Sequence, residues 1–258
     1  MTQIMNSDKQ GLNFEITSAR ISEETQKRHV IYTLQIRYVS GVDDLTPSVI
    51  ERRYTQFQSL FDSLKRDFPS EMTDVAFPKK VLTGNFDNEL ISARSTAFEK
   101  VLRRIALESK LRTSKAMQKF LQEPELNEAK ILFDEKRYDV AFEKFLSMFR
   151  LLNKIFSDRS PAVLMVLCRL IACCFESPIL SNSVKWADLG LYRFDGVSDS
   201  DLLELYLPLL HASIKIYEAN NKDAESLKSQ LNTFQKQGMK DPGKSLLEVL
   251  NEVEAKLL

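Results

Sequence analysis

Apolar and polar positions alternate at the start of Phe14-Glu15-Ile16-Thr17-Ser18-Ala19-Arg20-Ile21, the two-residue period of a half-buried strand. Glu23 to Arg28 is a polar turn. Val30-Ile31-Tyr32-Thr33-Leu34-Gln35-Ile36-Arg37-Tyr38-Val39 is β-branched and aromatic, which predicts a second strand. Ser40-Gly41 and Thr46-Pro47 bracket another turn, and Ser48-Val49-Ile50-Glu51-Arg52-Arg53 reads as a third strand. Three strands at such short spacing predict an antiparallel meander. The period then changes. Tyr54, Phe57, Leu60, Phe61, Leu64 and Phe68 recur at steps of three and four, an amphipathic helix that Pro69 stops. A loop from Ser70 to Asn85 carries Phe77-Pro78-Lys79-Lys80. Helical spacing resumes at Leu90, Ile91, Ala97, Phe98, Val101, Leu102 and Ile105 and continues through Met117, Phe120 and Leu121, and Pro124 is expected to close this half.

From Glu125 onward the pattern is helical, with segments over 125–135, 138–156, 161–176, 182–194, 199–220, 222–237 and 242–257. The separators are turn chemistry: Ser157 to Pro161, Ser177-Pro178, Asp195-Gly196, Asn220-Asn221, and Gly238 to Gly243. Successive segments joined by short turns read as stacked helical hairpins. The fold class is therefore α+β in residues 12–123 and all-α in residues 125–258.

Composition narrows the function. The chain is 43% hydrophobic and 28% charged, an ordinary globular balance that argues against disorder. Its 36 basic and 36 acidic residues cancel, so it lacks the broad basic surface of a nucleic-acid coat. Through residue 125 there are 19 basic and 17 acidic residues, net +2, and the remainder is net −2, a sign that suits a first half meeting an anion. The polar start has no apolar signal core. The apolar stretch from Pro161 to Phe175 is broken by Arg169 and falls short of the ~20 residues a spanning helix needs. Any membrane contact is thus expected to be peripheral and the chain cytosolic.

Three cysteines and two histidines are too few for a zinc ribbon or disulfide scaffold. Cys168, Cys173 and Cys174 fall on one apolar segment and read as buried free thiols. His29 and His211 have no Cys or Asp at catalytic spacing along the sequence. Gly238 to Ser245 satisfies the letter of the P-loop pattern, but a polar helical stretch precedes it and only 13 residues follow Ser245. The plainer reading is a helix end at Gly238 and a new helix capped by Asp241, with Pro242 at its first position. No catalytic residue, metal or cofactor is assigned.

The strongest chemistry lies in Glu51-Arg52-Arg53-Tyr54-Thr55-Gln56-Phe57. Strand alternation sends Arg52 and Arg53 to opposite faces, so one can enter a pocket while the other stays in solvent. A guanidinium suits a phosphate bidentately. Thr55 stands at a helix start, where a hydroxyl and free N–H groups favour an anion. Downstream, Phe77-Pro78-Lys79-Lys80 puts basic residues after a rigidifying proline, Val81-Leu82 are apolar in a polar loop, and Arg94 opens the next helix.

Strands, Arg-Arg-Tyr, helix, Pro-Lys-Lys loop and a later Arg, taken together, resemble the PX (phox-homology) domain over residues 12–123. That resemblance implies a three-stranded antiparallel sheet with a helical subdomain that binds phosphoinositides. It implies that Arg53 clamps a 3-phosphate, Tyr54 packs under the inositol ring, Thr55 contacts the same phosphate, Lys80 meets the 1-phosphate and Arg94 binds the 4- and 5-hydroxyls. The loop reads Phe-Pro-Lys-Lys and not a double proline, so Lys79 competes with Lys80 for the pocket; Lys80 is favoured. Val81 and Leu82 are expected to enter the bilayer, the rival reading being packing against the second helix.

In the second half, Leu132 to Phe145 resembles a tetratricopeptide hairpin, with Tyr138 and a small Ala141 in place and the usual turn glycine missing. A PX domain followed by a short tetratricopeptide-like helical bundle (125–258) resembles the sorting nexin twenty and twenty-one branch, whose helical part is called the PX-associated B domain. The resemblance implies a nonenzymatic endosomal adaptor. It would bind phosphatidylinositol 3-phosphate at the membrane surface of early endosomes and recruit a protein cargo or regulator through a concave face on helices 125–135, 161–176 and 199–220. The alternative is a protein-interaction scaffold whose PX half prefers phosphatidylinositol 4,5-bisphosphate or binds lipid weakly.

Overall fold

The structure, a computed structural model, describes residues 11–23, 28–39, 46–177, 180, 182–197, 200–237 and 243–257. Strands β1 (Leu12–Ser22), β2 (His29–Tyr38) and β3 (Ser48–Arg53) form an antiparallel sheet in the order β1-β2-β3, the expected meander. The register runs from Leu12 opposite Tyr38 to Ser22 opposite His29, and from Ile36 opposite Ser48 to Ile31 opposite Arg53. A bulge between Ile16 and Ser18 interrupts the first ladder, and the Glu99 carboxylate accepts the Ile16 N–H at 3.3 Å.

Helix α1 (Tyr54–Asp67) starts directly on the last residue of β3. The Gln56 side chain accepts the Arg53 N–H at 2.8 Å, which lets the chain turn from strand to helix without a loop. Then come α2 (Asn88–Leu107), the single turn α3 (Ser109–Arg112) and α4 (Lys115–Asp134). Tyr32, Leu34, Leu64, Phe98, Leu102 and Ile105 have no exposed surface. The Phe57 and Phe98 rings stack at 4.1 Å, and Tyr32 meets Phe98 edge-on at 5.0 Å. Such contacts add ~0.5–1.5 kcal/mol per pair beyond their area.

One sequence expectation changes here. The helical segments expected to part at Pro124 are continuous, because Pro124 lies inside α4, which continues to Asp134. Arg52, the residue before Arg53, is 1% exposed. Its Nε donates to the Phe120 carbonyl at 2.6 Å and its Nη2 to the Leu121 carbonyl at 2.8 Å. Pro124 has no N–H to give to the carbonyl four residues back, which is that of Phe120. The buried guanidinium supplies the missing donor, so the helix passes through its proline.

The chain divides into two compact units, Met1–Gln122 and Glu123–Leu258. In the second, α5 (Tyr138–Ile155), α6 (Pro161–Glu176), α7 (Ser183–Phe194), α8 (Ser200–Leu203), α9 (Tyr206–Ala219), α10 (Glu225–Lys236) and α11 (Leu246–Leu257) follow one another. The segment expected as one helix over 199–220 is two, α8 and α9. In the turn before α5, Lys136 takes the left-handed φ of 61° that the missing glycine would have adopted. Helix α6 packs against α5, α7, α9 and α11, and is buried at every position from Ala162 to Cys174. A Cβ on Gly190 of α7 would lie 2.5 Å from Ile171 Cδ1, so hydrogen at this position is what lets α7 approach α6 so closely. Burial pushes the Cys168 and Cys174 thiols up to about 12 and Cys173 upward as well, the behaviour of inert core thiols.

The expected concave face is also corrected. Helix α6 does not line an open groove, because α11 packs on α6 and α9. Leu246, Val249, Leu250 and Val253 of α11 are buried. Glu254 accepts from Lys130 Nζ at 2.7 Å and from Arg169 Nη2 at 2.8 Å, and Lys256 reaches Glu204 at 2.7 Å. Residues 238–242 of the P-loop look-alike, including Asp241 and Pro242, lie outside the described residues. Helix α11 begins later than expected, at Leu246. Ser245 Oγ accepts the Glu248 N–H at 3.3 Å, and the Glu248 carboxylate accepts the Ser245 N–H at 2.7 Å. This reciprocal cap holds the Glu248 carboxyl below its usual range.

Two stability outcomes follow from these buried guanidinium groups. Arg52→Ala strands the buried Phe120 carbonyl and removes the bond to the Leu121 carbonyl, and is expected to cost at least about 2 kcal/mol, against within about 0.5 kcal/mol for exposed Arg53→Ala; urea unfolding of both variants checks the order. Glu254→Ala leaves Arg169, 2% exposed, without its counter-charge. Its expected cost is about 3 kcal/mol or more, while Lys130→Ala, which removes a partly exposed partner, costs under about 1 kcal/mol. Equal urea midpoints for Glu254→Ala and Lys130→Ala would refute the assignment.

Candidate functional site

With Arg52 committed to the interior, strand alternation forces Arg53 outward, and it is exposed where β3 becomes α1. Thr55 is exposed at the second position of α1. The first-turn N–H groups there have no helical acceptor, which makes the junction favourable to an anion. The two arginines thus divide as alternation demands, but the inward one enters the core of the unit and the outward one faces the candidate site.

Tyr54 gathers the rest. Its side chain is 9% exposed, and its hydroxyl donates to the Pro78 carbonyl at 2.7 Å. That bond ties the Pro-Lys-Lys loop to the start of α1. Phe77, one residue earlier, stacks on Phe61 at 4.8 Å and on Phe98 at 5.6 Å, so the loop has an apolar root in the core. Lys79 and Lys80 emerge beyond Pro78, both exposed. Anchoring on both sides of the proline fixes where the two ammonium groups start, although their stems stay free.

Arg94 lies on α2, 2% exposed, with its guanidinium carbon 4.3 Å from the Tyr54 ring centre. Its Nη2 donates to Asn85 Oδ1 at 3.1 Å, while its buried Nε has no hydrogen-bond partner. A buried donor left open costs about 1–3 kcal/mol, so this guanidinium keeps capacity for an incoming acceptor. Burial lifts the phenols of Tyr54 and Tyr32 above their usual range, and the Arg94 charge opposes that rise in both. Both rings therefore stay neutral at physiological pH, and the positive charge beside them is uncancelled.

The tip of the loop presents Leu82, 98% exposed. Val81 differs from the expectation of two exposed apolar side chains: it is half-buried, and its carbonyl accepts from Asn85 Nδ2 at 3.2 Å. The Arg28 guanidinium carbon sits 4.8 Å from the centre of the Phe86 ring. Tyr54, Pro78 and Arg94 are thus joined by direct contacts, while Arg53, Thr55, Lys79 and Lys80 are placed by chain adjacency to them. Sequence reasoning missed Asn85, Phe77 as the root of the loop, and Arg52 as the brace of β3. Only Phe77 carried a signal, an aromatic directly before the Pro-Lys-Lys run.

The PX domain family matches residues 41–124. Sorting nexin-20 of Rattus norvegicus is 31% identical over 238 residues, covering 92% of this chain and 75% of its own. Sorting nexin-21 of Homo sapiens is 30% identical over 243 residues, covering 93% of this chain and 64% of its own. A crystal structure of the mouse SNX19 PX domain aligns with 42% of this chain and 94% of its own at 23% identity, with a TM-score of 0.35.

Proposed function

This chain belongs to the sorting nexins and carries a PX domain, and we propose that it is a nonenzymatic peripheral adaptor of the endosomal system. Its first unit would read phosphatidylinositol 3-phosphate on early endosomes, and its second would recruit a protein. One observation carries the lipid reading: Arg94, buried against Tyr54 with an open Nε, beside a loop that Tyr54 itself anchors. In this reading Arg53 and Thr55 hold the 3-phosphate, the Tyr54 ring supports the inositol, Lys80 takes the 1-phosphate, and Arg94 takes the ring hydroxyls. Three of these groups are charged donors, each worth about 1.5–3 kcal/mol to a phosphate or hydroxyl.

Membrane attachment in this reading has two further terms. Leu82 stands clear of the protein, and burying it in the bilayer would contribute about 1.5–3 kcal/mol. Lys79 and Lys80 beside it gain about 1 kcal/mol each near an anionic surface. Among the described residues no helix is long and apolar enough to cross a membrane. Lipid and protein binding on one chain would reinforce each other, because the second contact becomes intramolecular.

Three outcomes test the proposal. On vesicles containing phosphatidylinositol 3-phosphate at physiological salt, Arg53→Ala should lose on the order of a hundredfold in affinity with its fold intact, from two lost bonds. Leu82→Asp should weaken vesicle binding while sparing the soluble head group. Equal vesicle binding by wild type and Arg53→Ala would sink the pocket, and a preference for phosphatidylinositol 4,5-bisphosphate vesicles would reassign its lipid. For the second unit, cross-linking of the full chain to captured partners should place links on exposed Lys185 and Lys222. Links confined to residues before 123 would refute recruitment by the helices.

A further inference from the structure

We propose that Asn85 is a positioning residue that couples capture of the head group by Arg94 to the presentation of Leu82 to the bilayer, an inference that rests on the lipid-binding reading above. The carboxamide makes two bonds in two directions. Its Oδ1 accepts from Arg94 Nη2 at 3.1 Å, and its Nδ2 donates to the Val81 carbonyl at 3.2 Å. Only one orientation of the amide satisfies both, because a guanidinium can only donate and a carbonyl can only accept. Asn85 is therefore a two-sided link, with the buried cation of the pocket on one side and the backbone beside the loop tip on the other.

The segment between those bonds is short and closed. Leu82 lies directly after Val81, and Gly84 takes a φ of 71° that a residue with a side chain would rarely adopt. The Asp87 N–H returns to the Gly84 carbonyl at 3.0 Å, and the Ile91 N–H to the Asp87 carbonyl at 3.0 Å, so the segment runs straight into α2 and thus to Arg94. Phe86, next to Asn85, is covered by Arg28. Leu82 is the one fully projecting apolar side chain of this closed turn, at 98% exposure. When an anion fixes Arg94, the carboxamide is fixed with it, and the turn holding Leu82 loses freedom before it meets lipid. Ordering a loop in advance removes part of the cost of its insertion.

The coupling makes the two kinds of binding respond unequally. Asn85→Ala removes one bond to Arg94, and is expected to lower affinity for soluble inositol 1,3-bisphosphate by roughly two- to tenfold, the effect of a single hydrogen bond. Affinity for vesicles containing phosphatidylinositol 3-phosphate should fall further, because the loop is released as well. A Leu82→Trp reporter should show a smaller blue shift on those vesicles when Asn85 is alanine. Equal losses on soluble head group and vesicles would reduce Asn85 to a prop for Arg94 and overturn the coupling, as would no loss on either. A second measurement needs no Asn85 variant. Adding soluble inositol 1,3-bisphosphate to the wild-type chain should slow amide hydrogen exchange over residues 82–86, and unchanged exchange at saturating ligand overturns the proposal. If the wild type binds neither ligand, the lipid reading falls and this inference falls with it; if it binds both and only the loop measurements fail, the lipid reading stands and the coupling alone is wrong.

Discussion

The hydrogen bonds from buried Arg52 to the Phe120 and Leu121 carbonyls govern the geometry of the first unit. They occupy the side of β3 that faces inward and compensate the carbonyl that Pro124 leaves without a partner. Because successive strand residues point oppositely, committing Arg52 to the interior leaves Arg53 no choice but the outer face. The next residue opens α1, so Tyr54, Thr55 and the free first-turn N–H groups inherit their positions from the same bonds. A structural arginine one residue away thus sets the direction of an exposed cation of the candidate site, and a lysine in its place could not span two carbonyls with a planar fork.

Around that junction the aromatic core does the positioning. Phe77 stacks between Phe61 and Phe98, while the Tyr54 hydroxyl takes the next carbonyl, that of Pro78. A loop without secondary structure thereby gains two fixed points on either side of its bend. Arg94 covers the ring of the same Tyr54, so one residue supports both the basic loop and the buried guanidinium. The candidate site thus combines a buried guanidinium, held by Asn85 and the Tyr54 ring, with two exposed ammonium groups.

The second unit solves a different problem with the same residue type. Helix α6 is apolar enough to be buried on every side, yet Arg169 interrupts it. Burial lowers the guanidinium's affinity for its proton, and the Glu254 carboxylate opposes that effect. Helix α11 brings Glu254 and Asn251 to it, and buries Leu246, Val249, Leu250 and Val253 in the same act. Helix α11 is therefore a core element of the unit, and the face it covers is unavailable to a ligand while it stays docked.

The sequence by itself determined the local periods and the chemical kit. Alternation fixed the three strands, steps of three and four fixed the helix after Tyr54, and Arg-Arg-Tyr with Pro-Lys-Lys and Arg94 marked the candidate site, because each of these signals lies in residues close along the chain. Several matters were left to tertiary structure. Which of two adjacent arginines turns inward depends on carbonyls 68 and 69 residues away. Whether Pro124 ends a helix depends on a donor that arrives from a strand. Asn85 has no local mark, since its role exists only once Arg94 and the Val81 carbonyl are brought to its two ends. Glu254 likewise reads as a surface charge until α11 folds onto Arg169. In each case the deciding term is a buried polar group that must find a partner. Periodicity reports only which face is apolar, so it is silent on which distant atom that partner will be.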